Sequence, residues 1–382
     1  MATQFDNSRF VIVVTTISEG TFLDAYAAKI KEEGFQDETT IVIIPDLKTP
    51  TALYGKAQKL VKQKGIRAIC PTIAEQDAYL KRLGKISKLI PYNSDNRRNI
   101  GYLMAYEGGA ELLISVDDDN YPIPGTPFLK AHSVLLNPVD GEVLEADSGW
   151  FNVCRLLALE NDNVYARGFP YFQRFKRNKV TRAGKKGVHV DVNAGLWLKD
   201  PELDAITWLG NPTKSVSFGG RSCILGRDTW TPVNTQNTAV ARKVIPSWYF
   251  LKMGYALGGL LIDRYGDIFS GYFSQKCAKH LGRLVRVGTP IVSHRRNSHN
   301  YMRDLTAELG CILVLEDMLP WLVDVKLGGS TYSDAYLSLA DQLESQTDRF
   351  KGQIWTAATR KYFHHIAECM RVWVGTLQTF DK

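Results

Sequence analysis

Residues 112–119 constrain the fold more than any other part of the chain. Leu112-Leu113-Ile114-Ser115-Val116 is an apolar run, and Asp117, Asp118 and Asp119 follow it without a break. Five residues rich in aliphatic side chains read as a buried strand. Such a strand cannot bury three consecutive charges, so the aspartates must emerge at its carboxyl end. In an open α/β sheet that edge is where ligands bind. Side chains two positions apart in extended chain point the same way, so Asp117 and Asp119 face together and Asp118 faces away. That pair suits a hard cation such as Mg2+ or Mn2+, which prefers oxygen ligands and usually carries substrate phosphates. A solvated acidic turn, continued by Asn120 and Pro122, fits the same residues.

The preceding sequence alternates in a way that supports the strand. Phe10 to Thr15 is a β-rich run, and Thr21 to Glu33 has helical apolar spacing. Thr40 to Ile44 is a second strand, stopped by Pro45-Asp46. Leu53 to Lys64 reads as a helix, Ala68 to Cys70 as a short strand and Gln76 to Leu83 as a helix. Ser94 or Asp95 can cap a helix running to Gly108, which feeds the strand that ends in the aspartates. This βαβα pattern predicts an α/β fold with a mostly parallel central sheet and helices on both faces. Val188 to Val192 and Trp197 to Leu198 read as strand pieces around Asn193-Ala194-Gly195. The basic stretch Arg174 to Lys186 reads as a solvated or mobile loop. Ile268 to Leu281 looks helical and Leu284 to Val292 contains a strand. From Ser330 onward, Tyr336, Leu339, Ala340 and Leu343, then Ile354, Trp355, Ala358, Tyr362, Ile366, Met370 and Trp373, recur at roughly helical period. They predict a helical appendage, or a surface for a homo-oligomer.

Composition excludes several classes. A chain of 382 residues can bury a large core, as one elaborated domain or two. No stretch approaches the ~20 apolar residues that span a bilayer. MATQFDNSRF lacks a basic region followed by an apolar one, so the expected location is cytoplasmic. The six cysteines are scattered with no C-x-x-C pair, which suits free buried thiols better than a disulfide frame or a zinc site. A formal charge of +7 favours anionic substrates such as nucleotides but does not imply nucleic-acid binding.

Several segments, in order, resemble the reversibly glycosylated polypeptide or UDP-arabinopyranose mutase family of nucleotide-sugar glycosyltransferases with the GT-A fold. They are VVTTI at Val13 to Ile17, RRNIGY at Arg97 to Tyr102, SVDDDN at Ser115 to Asn120 and RGFPY at Arg167 to Tyr171. NAGLWLKDPELDAIT at Asn193 to Thr207, RYGDIFSGY at Arg264 to Tyr272 and GTPIVSHRRNS at Gly288 to Ser298 continue the series. The family's versions read RGYPF, HGLWLN and RYDDMWAG. Gly266 replaces an Asp, Ala194 a His, and Asn120 the Cys of DDDC, so fold transfers better than substrate. The resemblance implies a GT-A domain over residues 1–325, with a nucleotide-binding half at 1–120 and a donor-sugar and acceptor half at 121–325. Residues 326–382 form a helical extension without a family counterpart.

By that resemblance Asp119 and Asp117 ligate Mn2+ or Mg2+, with Asp117 and Asp118 on the nucleotide side. The cation neutralises charge on departing UDP. His294, at a strand end, matches a metal histidine of GT-A enzymes; a lone histidine there also suits a structural role. Arg295 and Arg296 beside it can bind diphosphate. Thr15, Thr16 and Ile17 end the first strand, where backbone groups can recognise a base. Asp46 can accept from the uracil imide, or simply shape the Pro45-Asp46 turn. Arg97 and Arg98 start the helix before the aspartates; one reaches the nucleotide or sugar and the other is solvated, with Arg98 the one aligned to a family arginine. Asp267, at a helix start, is the expected general base of an inverting transfer, and equally a helix cap. Asn193, Ala194, Gly195 and Trp197 form the expected donor-sugar floor, although Trp197 also suits the core. Arg167 binds phosphate or sugar, or pairs with a structural acid. The expected function is metal-dependent transfer of a sugar from a UDP-sugar to an acceptor hydroxyl whose identity the sequence leaves open. The alternatives are a UDP-sugar mutase that retains UDP and a non-catalytic partner of such an enzyme.

Overall fold

The computed structural model describes residues 5, 8–174, 176–257, 259–297 and 299–381. Four strands build the first part of the sheet: β1 (Phe10–Thr16), β2 (Thr39–Pro45), β3 (Arg67–Ile69) and β4 (Leu112–Asp117). The later strands include β5 (Asn120–Pro122), β6 (Val139–Ala146), β7 (Val180–Val188), β8 (Val190–Lys199), β9 (Cys223–Leu225), β10 (Asn237–Ala241) and β11 (Leu284–His294). The main sheet runs β3-β2-β1-β4-β10-β8-β11-β9-β6-β7. β3, β2, β1 and β4 are mutually parallel, and β10 enters antiparallel between β4 and β8. Seven of these ten strands point the same way, so the sheet is mostly parallel, as predicted.

Helices α1 (Phe22–Glu33), α2 (Ala52–Lys64), α3 (Ile73–Arg82) and α4 (Arg98–Glu107) connect the first four strands. Right-handed crossovers place α1 and α2 on one face as the chain steps outward to β3. The chain then returns through α3 and α4 over the opposite face to β4. Thr72 starts α3 with a reciprocal capping box to Glu75. α4 lies so close to β1 that a Cβ at Gly101 would stand 2.4 Å from Val13 Cγ1, so the position needs glycine. Because covered parallel strands are buried on both faces, every residue of β2 and nearly all of β1 and β4 is inaccessible.

The second half departs from the expectation in three places. Only the start of the basic stretch is a loop: residues 176–179 are irregular, Phe175 lies outside the described residues, and from Val180 the chain is β7, which pairs with β6 as an edge strand. Both of its faces are exposed, so it lacks the alternation that marks a half-buried strand. Its lysines suit an unpaired edge, where charge blocks association with other chains. The pieces around Asn193-Ala194-Gly195 form one continuous strand, β8. The 24-residue helix α6 (Tyr301–Asp324) follows α5 (Gly266–His280), and Asn300 caps it by accepting from Arg303 N.

The last helices, α7 (Tyr332–Thr347) and α8 (Ala357–Leu377), pack on each other and on residues 242–247. Tyr336, Leu339, Leu343, Ile366, Met370 and Trp373 are fully buried there. Trp373 Nε1 donates to Ile245 O at 3.2 Å, and its ring lies 5.6 Å from that of Tyr249. The apolar face read as an oligomer surface is therefore covered by the chain itself. All six cysteines are free thiols. Among the described residues no helix is long and apolar enough to cross a membrane.

Candidate active site

A cleft of about 980 Å3 opens at the carboxyl ends of β1, β2 and β4. Its far wall comes from residues 250–255 and 263–267, with His294, Arg296, His299 and Arg303. Thr15, Thr16, Ile17, Asp46, Arg97, Arg98, the three aspartates, Arg167, Asp267 and His294 all line it. Residues up to 279 positions apart in sequence thus meet where the strand-end argument placed them.

The floor is organised by Arg98, the first residue of α4. Its Nη2 donates to Asp117 Oδ1 at 2.5 Å and to Thr15 Oγ1 at 3.1 Å. Its Nη1 donates to Ser115 Oγ and Thr235 O, both at 3.0 Å. Burial pushes the Asp117 carboxyl up to about 6; Arg98 pulls it down and Asp119 adds repulsion. Asp118 turns the other way and accepts from Thr16 Oγ1 at 2.5 Å, tying β4 to β1. Neither arginine is solvated, contrary to the expectation for one of them. Arg97 is buried, donates to Gln76 Oε1 and stacks over Tyr92 at 4.6 Å. Asp46 accepts from Leu47 N at 2.7 Å, as the turn reading expects, and from Ser94 N at 3.1 Å, which joins the turn to the segment before α4. Ile17 is 63% exposed at the rim.

Asp119 and His294 face each other across the cleft. Backbone pairing sets the geometry, because His294 is registered against Asn120 in the β5–β11 ladder and Arg295 N donates to Asp119 O at 2.9 Å. His294 Nδ1 lies 2.6 Å from Asp200 O and must donate there. Its Nε2 then points at Asp119 Oδ2, 3.3 Å away. An imidazole lone pair and a carboxylate are both acceptors, so something positive belongs between them. Burial lowers the His294 pKa, but the hydrogen bond and charge of Asp119 outweigh it and leave a net rise. A proton on the imidazole can fill that gap, and so can a divalent cation. Among the described residues no three His, Cys, Asp or Glu side chains gather closely enough to hold a metal. The expected set of Asp117, Asp119 and His294 is corrected to that extent: Asp117 is turned into its ion pair with Arg98. Two protein ligands suit Mg2+ or Mn2+ when substrate phosphates complete the shell.

Arg167 and Asp267 form the inner wall. Arg167 is buried, with Nε 2.5 Å from Glu202 Oε1 and Nη2 2.9 Å from Asp267 Oδ2. Asp267 sits in the first turn of α5, where its Oδ1 accepts from Ile268 N at 2.9 Å. It is not the N-cap, which is Tyr265. Burial raises its pKa, while Arg167 opposes the rise. Both oxygens of the expected base are therefore already engaged.

The expected donor-sugar floor is elsewhere. Asn193 is fully buried, with Nδ2 3.1 Å from Thr289 O and Oδ1 accepting from Arg286 Nη1 at 2.7 Å. A Cβ at Gly195 would lie 2.2 Å from Asn237 Nδ2 and 2.4 Å from Pro290 O, so this glycine serves strand packing. Ala194, Gly195 and Trp197 are absent from the residues that line the cleft and border a pocket of about 20 Å3 that they share with Arg167 and Glu202. They sit in the middle of β8 rather than at its end, which is why they miss the cleft.

The sequence reading passed over Glu202, Lys252, Tyr255, Asp263, Arg264, His299 and Arg303, which also line the cleft. Burial would raise Glu202, but Arg167, Arg296, His294 and Arg264 hold it down at about 2. Arg296 lines the cleft, whereas Arg295 is exposed over the Tyr121 ring. His299 lies five residues beyond His294, and that spacing was the available signal.

A family model described as reversibly glycosylated polypeptide matches residues 71–382, so the helical extension at 326–382, expected to lack a family counterpart, falls within the family match. The chain is 25% identical over 296 residues to UDP-arabinopyranose mutase 1 of Arabidopsis thaliana, covering 76% of this chain and 75% of the relative. It is 24% identical over 370 residues to probable UDP-arabinopyranose mutase 1 of Zea mays, covering 95% and 88%. Among solved structures it is similar to glucosyl-3-phosphoglycerate synthase of Mycobacterium tuberculosis in complex with Mn2+, uridine-diphosphate-glucose and phosphoglyceric acid. That match has 11% identity and a TM-score of 0.39, covering 82% of this chain and 81% of the other.

Proposed function

This chain belongs to the reversibly glycosylated polypeptide family, and we propose that it is a metal-dependent glycosyltransferase acting on a UDP-sugar. The observation that carries the reading is the pair of acceptors, Asp119 Oδ2 and His294 Nε2, held 3.3 Å apart at the sheet edge. Mn2+ or Mg2+ bound there with a diphosphate would offset charge on the leaving UDP. The chain's own groups do the rest. Thr15, Thr16, Ile17 and Asp46 lie where the uridine would bind, beyond the diphosphate. Arg98 holds Asp117 in one orientation, so that the floor stays rigid when the donor binds. Asp267, fixed by Arg167, sets a negative charge against the sugar as positive charge develops at its anomeric carbon. The cleft volume lies at the upper end of the roughly 300–1,000 Å3 range of small-molecule sites, which favours a donor and a hydroxyl acceptor together.

A second reading, a UDP-sugar mutase, is favoured by the names of the relatives. Two experiments test these readings. Calorimetry of UDP with Mn2+ should show Asp119→Ala weakened by more than the ~10–100-fold typical of losing a group behind a ligand. Equal affinity in both proteins would remove the metal pair from the site. Chromatography of reactions with UDP-sugars should show free UDP appearing as donor disappears. Pyranose and furanose forms interconverting at constant total UDP-sugar would establish the mutase instead.

A further inference from the structure

The cleft wall holds a second imidazole that the reading above leaves without a role. His299 stacks on Tyr301 with ring planes 8° apart. Its Nδ1 lies 2.8 Å from Oδ2 of Asp304, in the first turn of α6. Asp304 is fixed in turn by Arg264 Nη1 at 3.3 Å and Arg296 Nη2 at 4.0 Å. With two guanidiniums paired with it, this carboxylate serves as an acceptor, and Nδ1 donates to it. Nε2 is then left with its lone pair, on a side chain that lines the cleft. Asp267, by contrast, has both oxygens already accepting.

We propose that His299, oriented by Asp304, is the proton acceptor for the incoming hydroxyl. The proposal rests on the transfer reading above. In the step, the acceptor O–H gives its proton to His299 Nε2, and the freed oxygen pair forms the bond to the anomeric carbon. The bond from that carbon to the diphosphate oxygen breaks, its electron pair leaving with UDP. The imidazolium then releases its proton to solvent. Asp304 is a positioning residue: it fixes the tautomer and ring angle and offsets the charge that forms on the ring.

The surroundings favour a neutral, receptive ring. Burial and the charge of Arg296 lower the His299 pKa below its ordinary 6.5, Arg264 adds to this, and Asp304 opposes it. Those three side chains come from its own loop, from the segment before α5 and from α6; Arg303 of α6 shares the wall. Activity should therefore fall as pH drops through an ionisation below 6.5.

The test measures UDP release from UDP-glucose, UDP-galactose and UDP-arabinopyranose with Mn2+ and water as acceptor, across pH. His299→Gln should slow release by ~100-fold or more, the lower part of the range for general base catalysis. At saturating Mn2+, which removes proton competition at Asp119 and His294, it should lose the acidic limb while its affinity for UDP with Mn2+ stays within a few-fold of wild type. Asp304→Asn should slow release about tenfold or more and displace the limb. Rescue of His299→Ala by free imidazole would support the same conclusion if glutamine disturbs the fold. A His299→Gln protein with wild-type rate and limb would overturn the proposal, and an Asp267→Asn protein that loses both would return the role to Asp267. A wild type that binds no UDP would overturn the function reading, and this proposal with it.

Discussion

Replacing Arg167 with methionine isolates the electrostatics of the inner wall. The substitution keeps most of the side-chain volume and deletes the cation that Glu202 and Asp267 share. Glu202 titrates near 2 rather than at its ordinary 4.5. For a buried group, that difference corresponds to about 3 kcal/mol of stability at neutral pH. Because the folded pKa is depressed, the contribution is complete above pH 4.5 and is lost as pH falls toward 2. Removing one member of a buried pair costs about 3–5 kcal/mol by general experience, which agrees. A chain of 382 residues has an unfolding entropy of about 0.8 kcal/mol/K, so the expected drop in Tm at pH 7 is about 4 °C. The sign of its pH dependence is the sharper test. Without Arg167, the Asp267 pKa, already raised by burial, loses the charge that opposes the rise, and Glu202 loses the largest of the charges that hold it down; carboxylates shifted upward in the folded state destabilise at neutral pH and are relieved by protonation. The deficit of Arg167→Met should therefore narrow as pH falls from 7 toward 4.5. Calorimetric melts of both proteins at pH 7, 5.5 and 4.5 measure it. A deficit that does not change with pH would mean that Arg167 contributes by packing alone and would refute the reasoning.

Two further outcomes follow from the geometry. Gly195→Ala forces a Cβ against Asn237 and the Pro290 carbonyl, and should destabilise by about 1–3 kcal/mol in denaturant titration while leaving UDP affinity unchanged; a stable variant with weakened donor binding would put Gly195 back against the sugar. Trp373→Ala should cost about 3–5 kcal/mol and lower a single cooperative melt, because α8 shares its core with the sheet; a separate early transition that leaves the main melt in place would show the C-terminal helices to be an independent unit.

What the sequence disclosed follows from how local its signals were. β1, β2 and β4 are buried on both faces, so each appears as a nearly continuous apolar run bounded by turn residues. The acidic triplet could be placed at a strand exit because charge cannot be buried in series. Arg97 and Arg98 were harder. Their burial depends on Gln76, Asp117 and Thr235, which come from other elements. The GLW block misled for a related reason: a glycine between aromatic and polar residues suggests close approach by a ligand, and here the close approach is by Asn237 and Pro290. β7 was invisible because an exposed edge strand has no apolar face. The C-terminal helices were legible as helices from their period, but a period does not say which surface covers the apolar face.

The β5–β11 ladder also fixes when the site can exist. It joins Asp119 to His294 across 175 residues, whereas β1 to β4 are complete by residue 117. Closing so long a loop is slow compared with forming local contacts, and during synthesis the amino-terminal part of a chain emerges and organises first. A nascent chain therefore displays its aspartates at a sheet edge with no imidazole opposite them. On the reading proposed here, tight capture of the cation waits until β11 has left the ribosome and paired. Metal loading then reports that the sheet is finished and plays no part in guiding its assembly.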